Sequence, residues 1–226
     1  MGIGKEIGQW LGPQAHKLAP DLTTSFIHEA LHRAIVGTGP LQGAAAAADQ
    51  KLADADGDAQ RAISQIIEQH VRYAGAQGFL TNMGGLVTLA VAVPANLAGL
   101  SLIQCRMVAA IAHLRGYDLS AGRVRNAILA CILGEDDVKK LIRKKLLPAP
   151  PMAIATAPTY DPYLDRLMAA EVTSELLTRV AGKRAAYALG RRIPVVGGLI
   201  GAGTDGVVTW QIGRYADREL LPRIRR

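Results

Sequence analysis

Aromatic residues are scarce in this chain of 226 residues, at 4%. A β-sandwich or barrel draws heavily on Tyr, Phe, Trp and Thr for its half-buried faces, so that architecture is not expected. No alternating apolar–polar run is long enough to argue for a sheet. Cysteine is nearly missing too. Cys105 and Cys131 are the only two, and both sit in apolar, helix-like sequence. They read as buried free thiols in a reducing cytoplasm rather than as a disulfide framework. The start, MGIGKEIGQWLG, lacks the apolar stretch of a secretory signal, so export by that route is not expected. Glu6 stands where a myristoylation signal carries Ser or Thr.

The longest absence is one of charge. From Tyr73 to Cys105 there is no Asp, Glu, Lys, Arg or His. Such a stretch must be buried, in protein or in lipid. It is not one uninterrupted span, because Gly84-Gly85 and Pro94 break it. Neither half comfortably reaches the roughly 20 residues that a membrane-crossing helix needs. The expectation is a buried core hairpin that can open towards lipid, not a permanent transmembrane anchor.

Half of the residues are apolar, supplied chiefly by Ala, Leu, Val and Gly, which suits closely packed helices. The periodicity predicts an all-α fold, a single multi-helix domain with a glycine-rich apolar core. Residues 1–20 form an N-terminal segment and 21–226 the helical domain. A proline-rich linker over 147–162 separates its two halves. Helices are expected after Asp21, with Ile27, Ala30, Leu31, Ala34 and Ile35 on one face, and over Leu41–Leu52. Others follow over Ala59–Tyr73, Pro94–Leu114, Ala121–Leu133, Asp136–Leu147, Pro162–Leu189 and Val195–Tyr215. Pro94 and Pro162 are read as first residues of their helices.

Several segments together resemble the EcsC protein family. They are GFLTNMGGLVTLAVAVPANLAGL at Gly78–Leu100, QCRMVAAIAHLRGYD at Gln104–Asp118, LGEDDV at Leu133–Val138 and RRIPVVGGLIGAGTDG at Arg191–Gly206. Relatives often carry Asp at the third position of the Pro-Ala motif, where this chain has Asn96. The resemblance implies an all-helical, bacterial, membrane-linked protein. It supplies no catalytic residues.

The formal net charge of +7 points to an anionic partner. Lys139, Lys140, Arg143, Lys144 and Lys145 cluster on a short amphipathic stretch suited to an anionic membrane surface. The arginines near the C-terminus, Arg214, Arg218, Arg223, Arg225 and Arg226, add to that face. Nucleic acid is not expected, since the basic residues are not interleaved with aromatics. Gly84, Gly85, Gly197 and Gly201 mark helix faces smooth enough for close packing. Asp205 is the only charge between Arg192 and Arg214. A charge in such an apolar run requires a partner, and Arg106 is the expected one.

His28-Glu29-Ala30-Leu31-His32 matches H-E-x-x-H. Residues four apart share a helix face, so His28 and His32 could grip one zinc ion, with Glu29 as general base on its water. A third ligand would come from Glu68 or His70 on the helix that follows. Asp54–Asp58 falls short of a calcium loop, with Ala59 where Gly is needed and Gln65 where Glu is needed. Gly198-x-x-Gly201-x-Gly203 follows no strand and lacks the Lys-Ser/Thr of a phosphate loop.

Two functional readings follow. The first is a non-enzymatic, cofactor-free accessory protein, cytoplasmic and peripheral to or partly inserted in the cell membrane. It would bind lipid, an apolar small molecule or a membrane protein complex. The alternative is a zinc-dependent hydrolase built on residues 28–32.

Overall fold

The computed structural model describes residues 24–39, 41–83, 89–189 and 194–223. In chain order its helices are α1 (Thr24–Val36), α2 (Ala44–Asp54), α3 (Ala59–Met83), α4 (Leu89–Leu114) and α5 (Gly122–Leu133). They continue with α6 (Glu135–Arg143), α7 (Pro151–Ala155), α8 (Pro162–Leu189) and α9 (Pro194–Glu219). The expected all-α class is what the chain adopts. The only strands among the described residues are Gly37–Thr38 and Leu41–Gln42, a two-residue antiparallel pairing that turns α1 into α2.

The punctuation of the helices is local chemistry. Gly37, at φ +95, ends α1 in a conformation that an L side chain rarely adopts. After α2, Asp56 and Gly57 are both left-handed, and Gly57 N–H returns to Leu52 C=O at 2.9 Å. Asp58 then accepts from the backbone N–H groups of Gln60 and Arg61 at 2.9 and 3.0 Å, capping α3. The acidic turn Asp54–Asp58 is therefore a helix stop and a helix start. Asp161 Oδ1 likewise accepts from Tyr163 N–H at 2.8 Å, and Pro162 opens α8 as expected.

Helix α4 is the axis of the fold. It packs against α1, α2, α3, α5, α8 and α9. Its second half shows why: Cys105 and the run from Met107 to Ala112 are all buried. A helix apolar on every side has no face to give to water and must sit at the centre. The stretch Asn126–Leu133 of α5 is buried in the same way. The outer helices bury one stripe each. In α1 the stripe is Ile27, Ala30, Leu31 and Ala34, and in α3 it is Ala62, Ile63, Ile66, Ile67, His70 and Ala74. Each fully buried Ile or Leu contributes about 1.5–3 kcal/mol. Cys105 and Cys131 are free and fully buried, and burial pushes both thiols well above the ordinary range.

Several boundaries differ from the sequence expectation, among them those of α2, which begins at Ala44 because Leu41–Gln42 pairs as a strand with Gly37–Thr38, and which ends at Asp54. Helix α3 runs on to Met83, past Tyr73. Helix α4 begins at Leu89, so Pro94 lies inside it rather than at its start. Helix α6 ends at Arg143, and Lys145 adopts a left-handed φ of 58°, which turns the chain before Leu147. Helix α9 runs to Glu219. The proline-rich stretch over 147–162 is not bare linker either. It holds α7, whose Pro151, Ile154 and Ala155 are buried, and α7 packs against α5.

Among the described residues, no helix is long and apolar enough to cross a membrane.

Candidate functional site

The close contact of α3 and α9 is built on glycine. A Cβ on Gly213 would lie 2.9 Å from Ile67 Cγ1 and 3.1 Å from Met107 Sδ. A Cβ on Gly206 would lie 3.6 Å from Val71 Cγ1. The helices thus run antiparallel, with Ile67 beside Gly213 and Val71 beside Gly206. Of the glycines read as packing residues, Gly84 and Gly85 lie outside the described residues. Gly197 and Gly201 fall within α9, whose packing is described only from Gly203 onward.

One turn above the Ile67–Met107–Gly213 layer, the same three-helix interface becomes polar. His70, Ser101, Gln104, Asp205 and Thr209 are all buried. Gln104 Nε2 donates to Thr209 Oγ1 at 3.2 Å, while Gln104 Oε1 has no partner among the described residues. His70 Nδ1 lies 2.7 Å from Ile66 C=O. A carbonyl only accepts, so Nδ1 carries the proton and Nε2 presents a lone pair. That lone pair is buried and unmatched among the described residues. Burial drives the His70 pKa down to about 4, and the charge of Arg106 lowers it further against the Ile66 hydrogen bond. The ring is therefore neutral at neutral pH. Tyr73 meets it edge-on, with ring centres 5.8 Å apart.

Arg106 approaches from α4. Its Nη1 is buried and makes no hydrogen bond among the described residues. Burial pulls its pKa down, while Tyr73 raises it. Among the described residues no ion pair joins Arg106 to Asp205, which has interactions of its own. Both residues border the α3–α4–α9 interface, but charge in an apolar run does not specify which partner the packing brings near.

The structure does not gather the residues of the H-E-x-x-H reading into a metal site. His28 turns its Nε2 to Asp165 Oδ2 at 3.2 Å, a carboxylate on α8. His32 is exposed, and Glu29 is held by Arg33 at 2.6 Å. Glu68 is exposed beside Arg72, and His70 sits in the α3–α4–α9 layer. No group of three or more His, Cys, Asp or Glu capable of holding a metal occurs among the described residues. Helix α1 packs chiefly on α4 and α8, not on α3, which is why the third ligand is not supplied.

The basic cluster divides in two. Lys139 is held by Glu135 at 2.6 Å and Lys140 lies 3.8 Å from Asp137, both within α6. Arg143, Lys144 and Lys145 are exposed, make no ion pair among the described residues, and stand beside exposed Leu146. Helix α6 is thus acidic in its first turn and basic in its last, as its macrodipole favours. The C-terminal arginines expected to face lipid are mostly used within the fold. Arg214 pairs with Asp217 at 3.3 Å, and Arg218 pairs with Glu135. Arg223 stacks over Tyr117 with its guanidinium carbon 5.5 Å from the ring centre. Arg225 and Arg226 lie outside the described residues.

Sequence reasoning missed one cluster altogether. Asp217, on α9, accepts from Arg115 at the end of α4 and from Gln60 Nε2 at 3.3 and 3.1 Å. Arg115 also donates to Gln60 Oε1 at 2.8 Å. Beside it the segment after α9 is latched down: Arg223 N–H donates to Arg115 C=O at 2.8 Å, and Tyr117 O–H to Leu221 C=O at 3.1 Å. A groove of about 300 Å³ opens nearby between the α5–α6 junction and α9, lined in part by Asp136, Trp210 and Arg218.

Compared with known proteins, the sequence model of the EcsC protein family matches residues 5–224. No curated protein and no solved structure matches the chain.

Proposed function

The chain belongs to the EcsC protein family, and from that premise and its surface chemistry we propose a non-enzymatic accessory protein that works at an anionic membrane surface. Arg143, Lys144 and Lys145 carry the reading. They are three exposed cations with no internal ion pair among the described residues, set on the left-handed turn that ends α6. Exposed Leu146 adds an apolar contact within the same turn. Lys140, exposed and only loosely held by Asp137, adds a fourth charge. The net charge of +7 draws the whole molecule to such a surface. Each cation near an anionic leaflet contributes about 1 kcal/mol, so three acting together give about 3 kcal/mol, on the order of 100-fold in affinity.

Flotation with phosphatidylglycerol-rich vesicles tests this. Wild-type protein is expected to float at low salt and to dissociate as salt screens the contact. An Arg143→Ala/Lys144→Ala/Lys145→Ala protein is expected to lose about 100-fold in affinity while keeping its fold. Wild-type protein that stays with the soluble fraction at low salt refutes the proposal.

A further inference from the structure

We propose that Arg106, His70 and Tyr73 form a binding site for a phosphate monoester at the α3–α4 face, separate from the basic turn after α6. The two sites share no residue.

The argument begins with an unpaired cation. A guanidinium taken partly out of water is costly unless an anion meets it. Arg106 is half-buried, and no carboxylate pairs with it among the described residues. Its Nη1 is fully covered and donates to nothing described. A planar fork of N–H donors in that state fits an oxyanion, and phosphate matches it in a bidentate way.

The neighbours narrow the choice of anion. His70 is buried, neutral, and fixed with its proton on Nδ1 by Ile66 C=O. Its Nε2 can only accept. It repels a bare oxyanion and rewards an O–H. Ile67 of α3 and Met107 of α4 meet at Gly213, and Gln77 of α3 lies against Gly99 of α4, so the two helices run antiparallel in a register that sets His70 across from Arg106. The ligand must therefore offer an anionic oxygen and an acidic O–H on one compact group. A monoprotonated phosphate monoester does so near neutral pH. A carboxylate or a phosphodiester group carries the anionic oxygen without the O–H. Tyr73, half-exposed and edge-on to His70, forms the outer wall. Its hydroxyl already accepts from Gln69 Nε2 at 2.6 Å, which leaves its own proton to donate outward. The site thus steps from an exposed aromatic to a buried imidazole, with the guanidinium beside it, and because His70 Nε2 and Arg106 Nη1 are both covered in the unliganded protein, a covering side chain must move aside for the ligand to enter. The same chemistry occurs in a free sugar phosphate and in the headgroup of phosphatidic acid.

The test uses the full-length protein with specifically labelled histidine. Glycerol 3-phosphate and inorganic phosphate are titrated in while the His70 ring signals are followed by NMR. In parallel, phosphatidylcholine vesicles are prepared with phosphatidic acid or with phosphatidylglycerol at equal surface charge. The expected result is a saturable shift of the His70 ring and a preference for phosphatidic acid over phosphatidylglycerol. A shift with glycerol 3-phosphate identifies a soluble monoester site, and a response to phosphatidic acid vesicles alone identifies a lipid site. Arg106→Gln is expected to weaken monoester binding about tenfold or more, as the loss of a charge-assisted pair does. Arg106→Lys should recover part of it. His70→Phe should leave anion binding but erase the preference for the monoester. The Arg143→Ala/Lys144→Ala/Lys145→Ala protein should still bind glycerol 3-phosphate or retain the phosphatidic acid preference, which separates this site from the surface reading. The proposal is overturned if His70 responds to neither monoester source, if phosphatidylglycerol vesicles shift the His70 ring as much as phosphatidic acid vesicles do, or if Arg106→Gln binds the monoester as wild type does. Should Arg106→Gln fail to fold, the wild-type titration and the lipid comparison still decide.

Discussion

Removing the carboxylate of Asp217 is the sharpest perturbation the structure offers. The side chain is 7% exposed and its partner Arg115 is 12% exposed. Asp217 also receives Gln60 Nε2 and Arg214 Nη1. In Asp217→Ala the Arg115 charge stays buried with only Gln60 Oε1 to meet it. Breaking one side of such a pair costs about 3–5 kcal/mol, far more than the pair's net worth. Against a total stability of about 5–15 kcal/mol for a domain, that is a large loss. The exposed pair Arg33–Glu29 has side chains 57% and 54% exposed and serves as the control. Glu29→Ala should cost less than about 0.5 kcal/mol. Urea unfolding followed by far-UV circular dichroism measures both. The double variant Arg115→Met/Asp217→Leu removes both charges and should recover much of the loss, giving a coupling of about 2–3 kcal/mol. If Asp217→Ala lies within about 1 kcal/mol of wild type, or the double variant merely sums the singles, the burial argument fails.

Acid should weaken the fold through His70. Its folded pKa is about 4 against an ordinary 6.5, so below pH 6.5 the unfolded chain takes up a proton that the folded one refuses. The stability tied to the neutral ring is complete above pH 6.5 and is lost as pH falls towards 4, by up to about 3 kcal/mol. Urea midpoints measured across that window should slope less in His70→Phe, and identical slopes would contradict the assignment. The α3–α9 contact predicts opposite outcomes at two glycines of one helix. Gly213→Val forces Ile67 and Met107 apart and should cost about 2 kcal/mol. Gly203→Ala, with nothing within 4 Å of its Cβ, should gain up to about 1 kcal/mol in thermal or urea unfolding.

Much of the fold was legible because its helices announce themselves locally. The stripe Ile27–Ala30–Leu31–Ala34 is buried as its spacing implies, and Asp161-Pro162 starts α8 as cap and first residue. The same local rules misled where packing outweighed them. Pro94 suits a first turn, yet α4 begins five residues earlier. The basic amphipathic stretch Asp136–Leu147 suits one helix, yet Lys145 turns the chain so that Leu147 is buried. H-E-x-x-H is sound helix geometry, but a metal needs further ligands, and which helix lies alongside α1 is not written in α1. The polar layer did leave a trace, for His70 is the one titratable residue on a stripe of isoleucines. Its nearness to Arg106, and the meeting of Gln60, Arg115 and Asp217, depend on how distant helices dock.

That meeting has a consequence for the order in which the chain takes shape. Asp217 lies 102 residues beyond Arg115 and 157 beyond Gln60. At about 5–20 residues per second, roughly 5–20 s of synthesis separate the emergence of α4 from that of the helix that neutralises its end. During that interval α3 and α4 have no α9 to cover them, and their apolar stripes lie open. A nascent chain in that condition is prone to aggregate, so a holding surface, whether chaperone or bilayer, would be needed before the last helix arrives.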